Sequence, residues 1–473
     1  MKQLTILIIS ILAIFSSCNN KPEAGPGFDT TLLSDSQNKS SCVRFASDEN
    51  DNAVVSWCET DKAEKNFFYL SFFDEEKGKF GGRINIPMEQ NTAIHEEGMP
   101  KIAIKSDGTI IAMFEVNSPT PDNGWAGFIH YIQSFDKGKS WTQPLCVHAD
   151  TSAGKSRSFA DITRLGNGEI GATWLDAPGG NKEGGRPVKF AKTNGRNGFG
   201  NERLVDSLAC ECCRTAISSN DGKISIVFRD IIDDNIRDIS VSTSSDNGET
   251  FSPAFSFSDD DWVINGCPHN GPSVVNSKEN VYAAWFTGSD KKGVYYSELN
   301  NNHEVVFKKL ISPNGKNIQL CLMADGSRVL AYNEISRHAD SLFSRIIVNK
   351  IANGTMLQKD ITPSNAQAGY PVIHALKKDK IVVAWTEDDK VFYSIVRSQD
   401  ISDAVQEPAL KPVVAFNDLP KIKIENKKDP VCGMPLGEKV QDTTRYHENI
   451  IGFCSDGCKD KFIKKPNAYL VMK

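Results

Sequence analysis

Seven of the 12 Cys in this 473-residue chain stand where several sulfurs can meet. Cys210-Glu211-Cys212-Cys213 is one run, Cys267-Pro268-His269 is a second, and Cys432 with Cys454 and Cys458 forms a third group. Thiolates joined by an imidazole suit soft or borderline ions, copper(I) and zinc above all. A Cys-x-Cys-Cys run pairs poorly within itself, because near neighbours rarely meet disulfide geometry. A bridge from Cys267 to one of those three is the other outcome in an oxidising compartment. In the third group Cys432 leaves a turn, while Cys454 and Cys458, four apart, fall on one face of a helix starting near Ser455. Three thiolates leave a position for a fourth or exchangeable ligand, with His447 the nearby candidate; a Cys454–Cys458 disulfide is the alternative. Cys42 and Cys58 lie symmetrically about a turn near residue 50, so they should face each other across two antiparallel strands as a disulfide. Cys146 and Cys321 read as buried or distal residues rather than ligands.

Which outcome a thiol meets depends on its compartment, and the first residues bear on that. After Lys2 an apolar run from Leu4 to Phe15 is too short to cross about 30 Å of hydrocarbon with margin, so it reads as a signal-peptide core. It ends in Ser16-Ser17-Cys18, which resembles the lipobox of bacterial lipoproteins. That resemblance implies cleavage before Cys18, lipidation of Cys18 and membrane attachment through the lipid. Asn19 to Gly27 then forms a polar tether. The expected location is the bacterial cell envelope, at the outer membrane, facing the periplasm or the exterior.

The elements that must position these groups announce themselves by repetition. A short apolar strand, a tight turn and a strand closed by an aromatic recur seven times. The turns are Asp51-Asn52, Asp107-Gly108, Asn167-Gly168, Asp221-Gly222, Glu279-Asn280, Asp325-Gly326 and Asp379-Lys380. The closing aromatics are Trp57, Phe114, Trp174, Phe228, Trp285, Tyr332 and Trp385. Asp-Gly between β-rich runs is a strong hairpin signal, since Gly and Asn tolerate the positive φ of primed turns. Further β-rich segments follow each hairpin, and four-stranded units at a spacing of 46 to 60 residues predict a β-propeller. Seven blades are favoured, six being the alternative, with residues near Phe28 to Leu33 completing the last sheet. The segments leading into the first strand of each blade point toward the propeller axis, and Cys210 to Cys213 and Cys267 to His269 open the fourth and fifth of them.

Two linkers, Ser134 to Trp141 and Ser244 to Phe251, follow Ser-x-Asp-x-Gly-x-x-aromatic and resemble the Asp-boxes (BNR repeats) of sialidase-like propellers; Thr193 to Phe199 is a degenerate copy. Asp-boxes are structural, so the resemblance speaks for fold. The sialidase arginine triad is not evident: Arg157, Arg214, Arg229 and Arg237, with Glu96, Glu97, Asp161 and Tyr370, show no spacing that forces one. Arg229-Asp230 and Arg237-Asp238 read as ion pairs between strands.

The tail from Leu419 is basic, with 11 Lys and Arg against 7 Asp and Glu in a chain of net charge −6. Asp429-Pro-Val-Cys432-Gly-Met434, Ile451-Gly-Phe453-Cys454 and Cys458 to Phe462 closely resemble a YHS domain, a small α+β, treble-clef-like metal-binding module related to the TRASH group. The resemblance implies Cys432, Cys454 and Cys458 as ligands. A unit of about 45 residues also needs a metal or disulfides to supplement its core. The resulting organisation is residues 1–17 signal peptide, 18–27 tether, 28–407 an all-β propeller, 408–424 linker and 425–473 YHS domain.

The acidic balance excludes a nucleic-acid binder that relies on a basic surface. The expected function is capture, delivery or sensing of a copper or zinc ion by a lipid-anchored propeller. An exo-sialidase-type glycoside hydrolase is the first alternative. A non-enzymatic scaffold binding a protein or glycan at the propeller face is the second.

Overall fold

A computed structural model describes residues 28–178, 184–233, 235–264, 266–338, 341–352, 354–404, 426–436, 440, 442–446, 449–454, 456–464 and 466–469. The signal peptide, Cys18, the tether, the 408–424 linker and His447 lie outside the described residues.

Seven antiparallel sheets form seven blades. Their inner strands are Lys39–Ser47, Lys101–Ile104, Ser158–Arg164, Ala216–Asn220, Ser273–Asn276, Gly315–Leu322 and Ala368–Leu376. Each packs beside the next, and the last returns to the first, closing a ring. The predicted turns sit where the ladders reverse, with left-handed φ at Asp51, Gly108, Gly168, Gly222, Gly326 and Asp379. Thr31–Leu32 pairs with Lys390–Arg397, Thr31 opposite Tyr393 and Leu32 opposite Phe392. The N-terminal strand thus supplies the fourth strand of blade 7, as expected. At the other end, Asp403–Ala404 adds a fifth strand to blade 6, with Leu357 opposite Ala404, a pairing the sequence did not suggest.

Why the second strands read as apolar runs rather than alternations follows from stacking. A blade is covered on both faces, so both side-chain rows are buried; in Ile170–Leu175 every residue is buried. Seven hydrophobic clusters fill the seven gaps between blades. One closing aromatic occupies each gap, and all seven are at most 2% exposed. The buried indole N–H groups have partners: Trp57 donates to Glu59 at 2.8 Å, Trp174 to Asp176 at 3.0 Å, Trp285 to Asp260 at 2.6 Å and Trp385 to Glu387 at 3.1 Å. Removing one of these rings costs about 3–5 kcal/mol, so the repeated aromatic holds blade to blade.

Both Asp-boxes have the expected local chemistry. Asp136 accepts the Ser134 and Ser140 hydroxyls at 2.9 and 2.6 Å, and Asp246 accepts those of Ser244 and Thr250 at 2.7 and 2.6 Å. Gly138 and Gly248 supply φ of 84° and 82°. The Thr193 copy departs from this pattern, since its hydroxyl donates to Glu169 instead.

Inner strands 1, 3, 6 and 7 each carry a β-bulge near their start. The bulges place Cys42, Phe159, Asn317 and Tyr370 at φ of 59°, 59°, 53° and 52°. Non-glycine residues there are strained by about 1–3 kcal/mol each, and bulges re-aim side chains. All four lie on the face where the inner strands begin.

Candidate metal centre

That face carries the propeller thiols. Cys210 follows Phe199–Ala209, the outer strand of blade 3, and its N–H donates to Arg229 O at 2.8 Å in blade 4. Cys212 and Cys213 lie on the turn into Ala216–Asn220, and Cys267 and His269 precede Ser273–Asn276. Glu97 ties the two connections together, accepting the Arg214 N–H at 3.1 Å and the Gly271 N–H at 2.8 Å. Gly271 has no room for a side chain, because a Cβ there would stand 2.3 Å from Arg214 Cγ and 2.5 Å from its carbonyl oxygen.

The thiols meet as two overlapping triplets. Cys210, Cys212 and Cys213 can bring their sulfurs within 4.8 Å of one another, and Cys212, Cys267 and His269 form a second group within the same limit. Cys212 belongs to both, and its sulfur is 3.8 Å from that of Cys210. All four cysteines are buried. Hydrogen bonds from Cys212 and Cys213, with Arg237 and Arg229 nearby, hold the Cys210 thiol well below its ordinary range. Burial pushes Cys212 and Cys213 up. Within this shared network the thiolate is favoured at Cys210.

Arg229 and Arg237 do not form the expected pairs with Asp230 and Asp238. Arg229 donates to the carbonyls of Arg237, Asn270 and Phe286 at 2.8, 3.1 and 2.7 Å and lies 4.8 Å over the Trp262 ring. Arg237 interacts with Cys210, and Asp238 instead accepts the N–H groups of Asp260, Asp261 and Trp262. Nearer the axis, Arg44 donates to Asp161 at 3.1 Å and to Gln319 at 3.3 Å, lining a cavity of about 140 Å³. Arg214 donates to Pro272 O at 2.7 Å, and Arg157 is an ion-pair partner of Asp150 and Asp176.

The C-terminal module assembles its own cluster. Asp442–Tyr446 and Asn449–Phe453 pair as a hairpin, followed by the helix Asp456–Lys464. Cys454 thus ends the hairpin, just ahead of the helix, and only Cys458 lies in its first turn, which corrects the expectation that both sit on one helix face. The Cys454 sulfur stands 3.4 Å from that of Cys432 and 3.8 Å from that of Cys458. One carboxylate oxygen of Asp429 joins these three sulfurs within 4.8 Å. Hydrogen bonds from Cys454 and Cys458 lower the Cys432 thiol, while the same sharing pushes Cys454 up. The helix N-terminus favours thiolates at its first turn.

Asp429 was not singled out as functional by its sequence. It is 1% exposed, and its Oδ1 accepts the Val431 and Cys432 N–H groups at 2.8 and 3.2 Å. Its Oδ2 accepts the Cys454 N–H at 2.8 Å. One carboxylate therefore fixes both arms of the thiol set, with its oxygens already engaged by backbone. Three converging, half-buried to buried sulfurs braced in this way fit a soft ion by donor type and by number.

Cys42 and Cys58 are brought into hydrogen-bonding contact, although the bulge shifts the register so that Ser41 stands directly opposite Cys58. Cys321 is buried in the gap between blades 6 and 7, which pushes its thiol up to about 12.

A family model described as a BNR repeat-like domain matches residues 59–404, and one described as a YHS domain matches residues 427–472. No curated protein matches the chain. Among solved structures, a protein of unknown function from Dyadobacter fermentans is similar at 13% identity and TM-score 0.43, over 66% of this chain and 96% of its own. The NanB sialidase from Streptococcus pneumoniae is similar at 10% identity and TM-score 0.45, over 79% of this chain and 70% of its own. The polysaccharide lyase Uly1 is similar at 13% identity and TM-score 0.48, over 79% of this chain and 90% of its own.

Proposed function

The chain belongs to the BNR repeat-like domain family and carries a YHS domain, and on that premise we propose that it binds a soft metal ion, copper or zinc, as cargo to be captured, delivered or sensed. The observation that carries this reading is the convergence of Cys432, Cys454 and Cys458 around the brace of Asp429. The propeller set Cys210, Cys212, Cys213, Cys267 and His269 supplies a second donor group of the same softness. We place the protein in the bacterial cell envelope, exported by residues 1–17 and anchored through a lipid on Cys18, with Cys42 and Cys58 oxidised there. Among the described residues no helix is long and apolar enough to cross a membrane.

Glycan hydrolysis is the competing reading. Arg44 and Arg214 near the axis already serve the fold through Asp161, Gln319, Glu97 and Pro272, which favours the metal reading. The test is anaerobic reconstitution of the full-length protein with copper(I) or zinc, followed by elemental analysis. Retention of at least one ion, reduced by Cys432→Ser, supports the proposal. Metal-free wild type, together with cleavage of a fluorogenic sialoside, replaces it with the hydrolase.

A further inference from the structure

The module thiols and the propeller thiols share an interface. Met434, two residues beyond Cys432, packs against the cluster of Cys210, Cys212, Cys213 and Cys267 together with Phe159. His269, grouped with Cys212 and Cys267, also stands on this side of the propeller set, within electrostatic range of Cys432. Lys461, in the helix Asp456–Lys464, is within electrostatic range of Glu96 and His95, so the module helix lies toward the same face. The strained Phe159 forms a wall of this space, its ring 5.8 Å from that of His95 and 6.5 Å from that of His269.

We propose that the two clusters are one composite soft-metal site: the module docks as a lid over the propeller thiols, with Met434 and His269 linking the two sulfur sets so that an ion exchanges between them. This rests on the metal reading above and adds a place for the ion to go. A thioether is a soft, neutral donor on a flexible arm, suited to an ion moving between anionic sulfurs. Each exchange forms one metal–sulfur bond and breaks one. The incoming thiol releases its proton, the departing thiolate takes one up, and the oxidation state of the ion is unchanged. Burial of the propeller sulfurs under Met434 keeps this exchange away from bulk water and from oxidants.

The test uses the full chain and copper(I) under anaerobic conditions, competed against a chromogenic copper(I) chelator. Wild type, Cys432→Ser, Cys212→Ser, the double variant and Met434→Leu are compared, with circular dichroism to check folding. In a composite site Cys212→Ser weakens retention of the ion held by Cys432 about tenfold or more, the scale seen when supporting groups of a metal site are removed. The double variant then loses less than the two single losses combined. Met434→Leu preserves the packing volume and also weakens retention about tenfold. If each cysteine variant removes one ion and leaves the affinity of the other unchanged, or if Met434→Leu retains copper like wild type, the composite site is overturned while the metal reading stands. Wild type that binds no copper(I) overturns the underlying reading itself.

Discussion

Asp429→Asn is the perturbation with the largest expected effect for the smallest change in shape. The carboxylate accepts three backbone N–H groups, at 2.8, 3.2 and 2.8 Å, from Val431, Cys432 and Cys454. An amide retains one acceptor oxygen and turns an NH2 donor toward the others, so at least one buried N–H loses its partner. A hydrogen bond to a charged group contributes about 1.5–3 kcal/mol, and a stranded donor costs about 1–3 kcal/mol, so a loss of about 2–4 kcal/mol is expected. At about 0.05–0.15 kcal/mol per residue, a unit of about 45 residues has only about 2–7 kcal/mol in total. Its buried core is small: Ile451, Phe453 and Phe462 beside Cys454 and Cys458. The metal-free module should therefore open for a large fraction of the time, while the propeller stays folded. Hydrogen-exchange mass spectrometry on the full chain reads this directly, as faster exchange in peptides from 427–436 and 449–462 and unchanged exchange in Ala53–Thr60. Added copper(I) should restore part of the protection, because an ion that binds only the folded module stabilises it by mass action. Exchange in the module equal to wild type without metal would refute the assignment of Asp429 as the brace between the two arms.

Two further outcomes follow from the fold. Burial, with Glu97 close by, raises the Glu96 carboxyl to about 7 from 4.5, so its contribution is present below about pH 4.5 and is lost as the pH climbs through about 7. Glu96→Gln keeps an acceptor for the Cys42 N–H and should raise the thermal midpoint at pH 8 by a few degrees while matching wild type at pH 4.5; an equal difference at both values removes ionisation as the cause. Starting the chain at Asp35 removes Thr31–Leu32 and the Ser34 hydroxyl that Val391 N–H donates to, leaving Lys390–Arg397 as an open edge. Light scattering should show association and the midpoint should fall, whereas a monomer of wild-type midpoint would mean that blade 7 does not depend on this strand.

What the sequence made legible is what local chemistry determines. Asp-Gly turns and a single closing aromatic per hairpin are decided within about ten residues, and they located all seven blades. The run Cys210 to Cys213 and the later Cys267 and His269 could be assigned to adjacent blades from the repeat alone. Their division into two triplets sharing Cys212 could not, because it depends on Glu97 crossing from blade 2 to hold both loops. Asp429 was readable in principle, since an Asp two residues before an acceptable N–H is a turn signal, but its bond to Cys454 spans the module. Left-handed residues such as Phe159 and Tyr370 escape a reading that expects glycine at positive φ. The contact of Met434 with the propeller joins segments more than 160 positions apart, and no periodicity encodes it.

The fifth strand of blade 6 sets the terms on which the lid works. Asp403–Ala404 pins the end of the propeller chain to the rim, and residues 405–425 join it to the module. A chain of about 20 residues can reach up to about 70 Å, so connectivity alone does not choose where the module lands. It does confine the module to an effective concentration in the millimolar range. A docking surface that would be too weak to hold two separate molecules would then suffice to keep the thiol sets together. A longer or shorter join would tune that effective concentration without altering a single ligand.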